Sequence, residues 1–119
     1  MKIQVEVGGF TGSAELFNSE LAKEIYGLLP INSDVIRWGD EIYFPVPLER
    51  EIQKPTTDLE VGDLAFWPAG SCFCIFYGRT PASTDNKPAP ASPVEVFGKL
   101  GGAEKLVDEN PNHIEIKKL

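Results

Sequence analysis

A chain of 119 residues has the size of one domain and can bury a real core without metals or crosslinks, because a domain of this length hides roughly two-thirds of its unfolded surface. Its 42% hydrophobic and 24% charged residues are those of an ordinary globular protein, and its net charge of −7 argues against nucleic acid or an anionic membrane, both of which call for a basic patch. No apolar run approaches the roughly 20 residues of a membrane span, and the opening MKIQVEV alternates like a strand, so a single cytoplasmic domain over residues 1–119 is expected.

In chain order, Ile3, Val5 and Val7 alternate with Lys2, Gln4 and Glu6, and Gly8-Gly9 makes a tight turn into a second strand over residues 10–17. Asn18-Ser19-Glu20 offers a helix cap with an acid in the first turn. Leu21, Ala22, Ile25, Tyr26, Leu28 and Leu29 follow at helical spacing until Gly27 weakens the helix and Pro30 ends it. One apolar face on this helix suits a cap over the end of a barrel. Residues 31–38 and 41–46 read as two further strands around Gly39-Asp40. Ile42, Phe44 and Val46 oppose Glu41, Tyr43 and Pro45, while Ile36 and Trp38 oppose Val35 and Arg37, so Arg37, Glu41 and Tyr43 are expected to meet on one side. Residues 47–60 are charged and proline-punctuated, a solvated connection with room for one short strand.

Residues 62–78, GDLAFWPAGSCFCIFYG, hold most of the large side chains and read as a hairpin around Pro68-Ala69-Gly70. Leu64 and Phe66 oppose Ala65 and Trp67 in the first arm. Cys72, Cys74 and Phe76 oppose Phe73, Ile75 and Tyr77 in the second. Both faces of both arms are apolar, so both must be covered. The two cysteines sit at i and i+2 on one face, a poor geometry for a disulfide, and are expected to be free buried thiols. Residues 79–93, RTPASTDNKPAPASP, have too many prolines and small polar groups for regular structure and read as a loop, either a lid or a tolerated surface excursion. A strand over residues 94–100, a short helix over residues 103–108 and a closing strand over residues 113–117 complete a mostly β domain.

Several stretches together resemble cyclophilins. Residues 96–100, VFGKL, followed by a glycine-led helix and the Ile114-Glu115-Ile116 strand, are similar to the C-terminal third of that family. Glu15-Leu16-Phe17 running into a helix, and Gly62-Asp63-Leu64 followed by a break and a Phe-rich strand, are similar to its earlier landmarks. With GDLAFWPAG and FYGRTP, nearly the whole chain resembles small bacterial and archaeal cyclophilin-like proteins of uncharacterised function. The resemblance implies a closed antiparallel β-barrel of about eight strands capped by two short helices. It does not carry the family's catalytic site. Arg37 is the one arginine near the place of the cyclophilin arginine, and the Phe and Gln that follow it there are missing. The family's histidine falls on Val94 and its Trp-Leu pair on Ala89-Pro90.

The function expected from these residues is a binding domain. A groove with Arg37, Glu41, Tyr43, Phe73, Tyr77 and Arg79 would hold a small molecule or a short peptide, with Arg79 as the charge for an anionic ligand and without efficient prolyl isomerase activity. No cofactor and no metal are expected, and a homo-oligomer is left open. The alternative is a peptidyl-prolyl cis-trans isomerase with Arg37 as catalytic donor, since rotation about the imide bond needs only an apolar grip and a donor near its nitrogen. A hydrolytic or metal enzyme has least support: His113 is the one histidine, and the chain has no nucleophile elbow or phosphate-binding glycine loop. The structural alternatives are an Arg37–Glu41 pair across a hairpin and core roles for Trp38 and Trp67.

Overall fold

Strand alternation sets the first hairpin. In β1 (Lys2–Val7) Ile3, Val5 and Val7 are buried, and β2 (Phe10–Leu16) returns beside it in the register Val5↔Gly12 and Ile3↔Ala14. Ser19 caps helix α1 (Glu20–Gly27) by accepting the Ala22 amide, and Leu21, Ala22 and Ile25 form its buried face. These three belong to the same core as the strands, so α1 closes an end of the sheet as its pattern predicts. All residues, 1–119, are described by the computed structural model.

The stretch expected as one strand over residues 31–38 is two. β3 (Ile31–Asp34) pairs with β9 (His113–Lys118), and β4 (Ile36–Arg37) pairs with β5 (Glu41–Pro45). Between them the Val35 amide donates to the Asn112 carbonyl at 3.1 Å. The remaining strands are β6 (Asp63–Trp67), β7 (Cys72–Phe76) and β8 (Glu95–Leu100), giving the order β3-β9-β1-β2-β8-β6-β7-β5-β4 with every pair antiparallel. The two edges of this sheet are therefore consecutive in the chain, and the backbone at Val35 joins them. The result is a nearly closed barrel of nine strands, one more than the resemblance implies because a single stretch serves as both edges. A 3-10 helix, Ala103–Asp108, adds Ala103 and Leu106 to the core.

The hairpin of β6 and β7 is covered on both sides, as its two apolar faces require. Leu64, Phe66, Phe73, Ile75 and Tyr77 join the barrel interior. Ala65, Cys72, Cys74 and Phe76 form a second cluster on the outer face with Leu59 and Val94, flanked by Tyr43, Trp67 and Val96. Both cysteines are free and buried.

Residues 79–93 lie over this outer cluster without helix or strand, but they are held. Thr80, Pro88 and Pro90 are buried, the Trp67 indole N–H donates to Ser92 Oγ at 2.6 Å, and the Ser83 hydroxyl donates to the Lys87 carbonyl at 2.7 Å. Lys87 Nζ sits 2.5 Å from Asp58 and 3.0 Å from Glu60, hydrogen bonds that push its ammonium pKa up. A lid composition suggests a segment that can be removed freely. The structure shows a cover, because the outer cluster would otherwise face water. A variant with residues 80–92 replaced by a short Gly-Ser bridge is expected to lose about 2 kcal/mol of stability, from uncovering Phe76 and losing the Trp67–Ser92 bond. Thermal unfolding reads this, and an unchanged midpoint would mean the segment covers nothing of consequence.

Candidate ligand-binding site

The turn between β4 and β5 places the first wall. Gly39 has φ +61, a conformation that favours glycine, and a Cβ there would lie 2.8 Å from Thr80 Cα. The bare turn lets the start of the long loop pack against it, fixed by the Asp40 amide donating to the Arg79 carbonyl at 2.8 Å. Across the turn Trp38 and Glu41 are partners, the Trp38 amide donating to the Glu41 carbonyl at 2.8 Å and the Glu41 amide to the Trp38 carbonyl at 3.2 Å. Opposed residues of an antiparallel pair share a face, so Trp38 joins Glu41. Tyr43, two residues on, lies on that same face.

The next strand completes the floor. Glu41 is in register with Phe76, and Tyr43 with Cys74. Trp67, opposite Cys72, stands edge-on to Tyr43 with ring centroids 6.3 Å apart and planes at 74°. Pro90, Ala91 and Val94 close the top. These eight residues line a half-open cavity of about 180 Å³, six of them hydrophobic and Glu41 the one that carries a charge.

Glu41 is 6% exposed. None of the ion pairs of the protein includes it, and no N–H or O–H group donates to its carboxylate; the one hydrogen-bonding neighbour is the Cys74 thiol. Burial raises its pKa from an ordinary 4.5 to about 7, with the Cys74 contact pulling slightly the other way. The thiols beneath are raised by their own burial and then by the Glu41 charge, Cys74 far more than Cys72. Both are inert neutral groups near neutral pH.

The six residues expected to form one groove fall on two sides of the sheet. Glu41 and Tyr43 line the cavity. Phe73 and Tyr77 point into the barrel, Phe73 stacked on Phe44 with centroids 5.0 Å apart and planes at 19°, and Tyr77 with its hydroxyl buried and unpartnered. Arg37 is in register with Ile42, a core residue, and so does not meet Glu41 or Tyr43. Its Nε donates to the Gly39 carbonyl at 2.9 Å and its Nη2 pairs with Asp40 at 3.2 Å, in place of the pair with Glu41. Arg79 is exposed, makes no side-chain hydrogen bond or ion pair, and is not part of the cavity wall.

Trp38, Trp67, Phe76, the loop residues Pro90 and Ala91, and Val94, which bridges to Thr56, are additions. Trp38 had a signal in the sequence, because a two-residue turn at Gly39-Asp40 pairs it directly with Glu41. His113 is remote, its Nδ1 3.0 Å from Asp34 and its Nε2 against Asn32 on the β3–β9 edge. No three His, Cys, Asp or Glu side chains gather as a metal site would need, and no helix is long and apolar enough to cross a membrane.

A wider depression of about 320 Å³ lies over Gln4, Glu6, Asn32, Glu115 and Lys117. Its lining residues are mostly polar. The outer aromatic cavity is the better candidate, because mostly apolar walls with one convergent polar group are what small-molecule sites share.

Comparison with known proteins agrees with the architecture. The family model described as cyclophilin-like matches residues 1–117. The solution structure of the hypothetical protein AF2241 from Archaeoglobus fulgidus is similar at a TM-score of 0.82 and 32% identity, over 100% of this chain and 95% of that one. The structure of McbB in complex with tryptophan is similar at a TM-score of 0.74 and 18% identity, over 98% of this chain and 44% of that one, a likeness of fold alone. Among curated protein sequences nothing matches. The match over residues 1–117 and the shared barrel make one conclusion: the chain belongs to the cyclophilin-like family.

Proposed function

We propose that this protein is a binding domain whose outer aromatic cavity holds a small molecule or one side chain of a short peptide, without efficient prolyl isomerase activity. The observation that carries this reading is an apolar cavity with one buried, unpaired carboxyl group on its wall. An ionisable group without a counter-charge is costly to keep buried, and a ligand that pairs with it recovers that cost. McbB, part of which shares the fold, was solved in complex with tryptophan, a small molecule. The test is a thermal-shift screen of benzene-sized fragments against the wild type and Ala91→Trp, a change at an exposed residue of the cavity wall that plugs its mouth. Fragments that stabilise the wild type and not the plugged variant support the reading. Fragments that stabilise both equally place the site elsewhere.

The isomerase alternative asks Arg37 to aim a donor at an imide nitrogen held in an apolar pocket. Its guanidinium is engaged by Gly39 and Asp40, and the cavity lies off the other face of β5. Isomerisation of proline peptides is expected at the uncatalysed rate, and Arg37→Ala is expected to leave it there. Catalysis at the rate of a true cyclophilin, lost on Arg37→Ala, would overturn this.

A further inference from the structure

We infer that the cavity selects a small organic cation, an apolar group of about the size of benzene carrying a protonated nitrogen that pairs with the Glu41 carboxylate. This rests on the cavity being the ligand site and goes further by naming the chemistry of the ligand.

Size comes first. A cavity of about 150 Å³ lined by apolar side chains accepts benzene, and this one has about 180 Å³, enough for a ring and one or two further atoms. Charge comes next. Glu41 is the only ionisable wall residue that takes a negative charge near neutral pH, and no lysine, arginine or histidine lines the cavity. An anionic ligand would meet a like charge on the wall with nothing to offset it. A neutral ligand could at most hydrogen-bond to the carboxylate and would leave its charge without a counter-charge. A cation answers both, and the rings of Trp38, Tyr43, Trp67 and Phe76 are the surroundings that organic cations favour. The net charge of −7 also draws cations toward the protein as a whole.

The groups around Glu41 do not compete for this role. The Cys72 and Cys74 thiols of β7 and the Tyr77 phenol just after it are all raised by burial and stay neutral. Asp40 and Arg37, beside the turn, are paired with each other. Ionisation of Glu41 is therefore the step to which cation binding is linked. With its pKa at about 7, affinity rises with pH as the carboxyl ionises and levels off above neutrality, and binding at low pH expels a proton.

The experiment compares benzylamine, benzyl alcohol and benzoate, probes of one shape and three charges. Binding is read by the fluorescence and the indole N–H signals of Trp38 and Trp67. These are the only two tryptophans in the chain, and both line the cavity. Benzylamine is expected to bind about tenfold or more tighter than the other two at pH 8, to weaken about tenfold or more by pH 5.5, and to lose its advantage in Glu41→Gln. Equal or tighter binding of the alcohol or benzoate, with the indole signals moving, overturns the cation proposal and leaves the cavity as the site. Failure of all three to move the indole signals overturns the site itself. The pH series on the wild type decides the matter even where the variant does not fold.

Discussion

Phe73→Ala is expected to lower the unfolding free energy by about 3–5 kcal/mol, the range for removing a large aromatic side chain from a packed core. Phe73 is 0% exposed, stacked on Phe44 and edge-on to Phe97, both at 5.0 Å between centroids. It joins β7 to β5 and β8 through the middle of the barrel. A domain with a total stability of about 5–15 kcal/mol loses a large fraction of it, and Phe73→Leu loses much less. Urea unfolding of the three proteins measures this. An unchanged midpoint in the alanine variant would mean that Phe73 is not in the core, and the inside and outside of the hairpin would have to be exchanged.

The second large effect is a pH dependence owed to Glu41. Its folded pKa of about 7 lies above its ordinary value of 4.5, so between these two the folded state holds a proton that the unfolded chain has released. Stability from this group is full below about pH 4.5 and falls as pH rises through about 7. At about 1.4 kcal/mol for each tenfold change in ionisation constant, the loss comes to about 3 kcal/mol. Glu41→Gln removes the titration. The variant is expected to gain on the wild type as pH rises, the difference in unfolding free energy growing by about 3 kcal/mol between pH 4.5 and pH 8. Parallel stability curves for the two proteins would show that the carboxyl is hydrated or paired in solution.

These two residues also mark what the sequence discloses and what it hides. Period-two alternation assigns Phe73 and Glu41 to strands and separates each from its immediate neighbours, because side-chain direction along a strand is a local property. The direction that faces inward is not local. Both faces of residues 72–77 are apolar, so hydrophobicity alone cannot say that Phe73, Ile75 and Tyr77 go inside and Cys72, Cys74 and Phe76 outside. Placing Phe73 and Tyr77 beside Glu41 is the consequence. The split at Val35 is hidden for a similar reason, since the two halves of residues 31–38 find partners at opposite ends of the sheet order. Arg37 then follows Ile42 and not Tyr43. What the chain states plainly is everything with a short-range signal: the Gly8-Gly9 turn, the Ser19 cap, the Ala103–Asp108 helix and the absence of regular structure over residues 79–93. That those last residues cover a second apolar cluster depends on contacts such as Trp67 to Ser92, which no local pattern encodes.

The central claim is that the ligand site lies outside the barrel, between β5, β7 and the long loop. The most direct measurement is the two-dimensional NMR spectrum of the labelled protein with and without a bound benzene-sized ligand, read at the indole N–H of Trp38 and Trp67 and at the backbone amides of the chain. The account predicts that both indoles shift together with Glu41, Tyr43 and residues 90–94, and that Arg79 and His113 stay where they are. Shifts gathered instead at Arg37, Arg79 and the barrel mouth, with the two indoles unmoved, would contradict it.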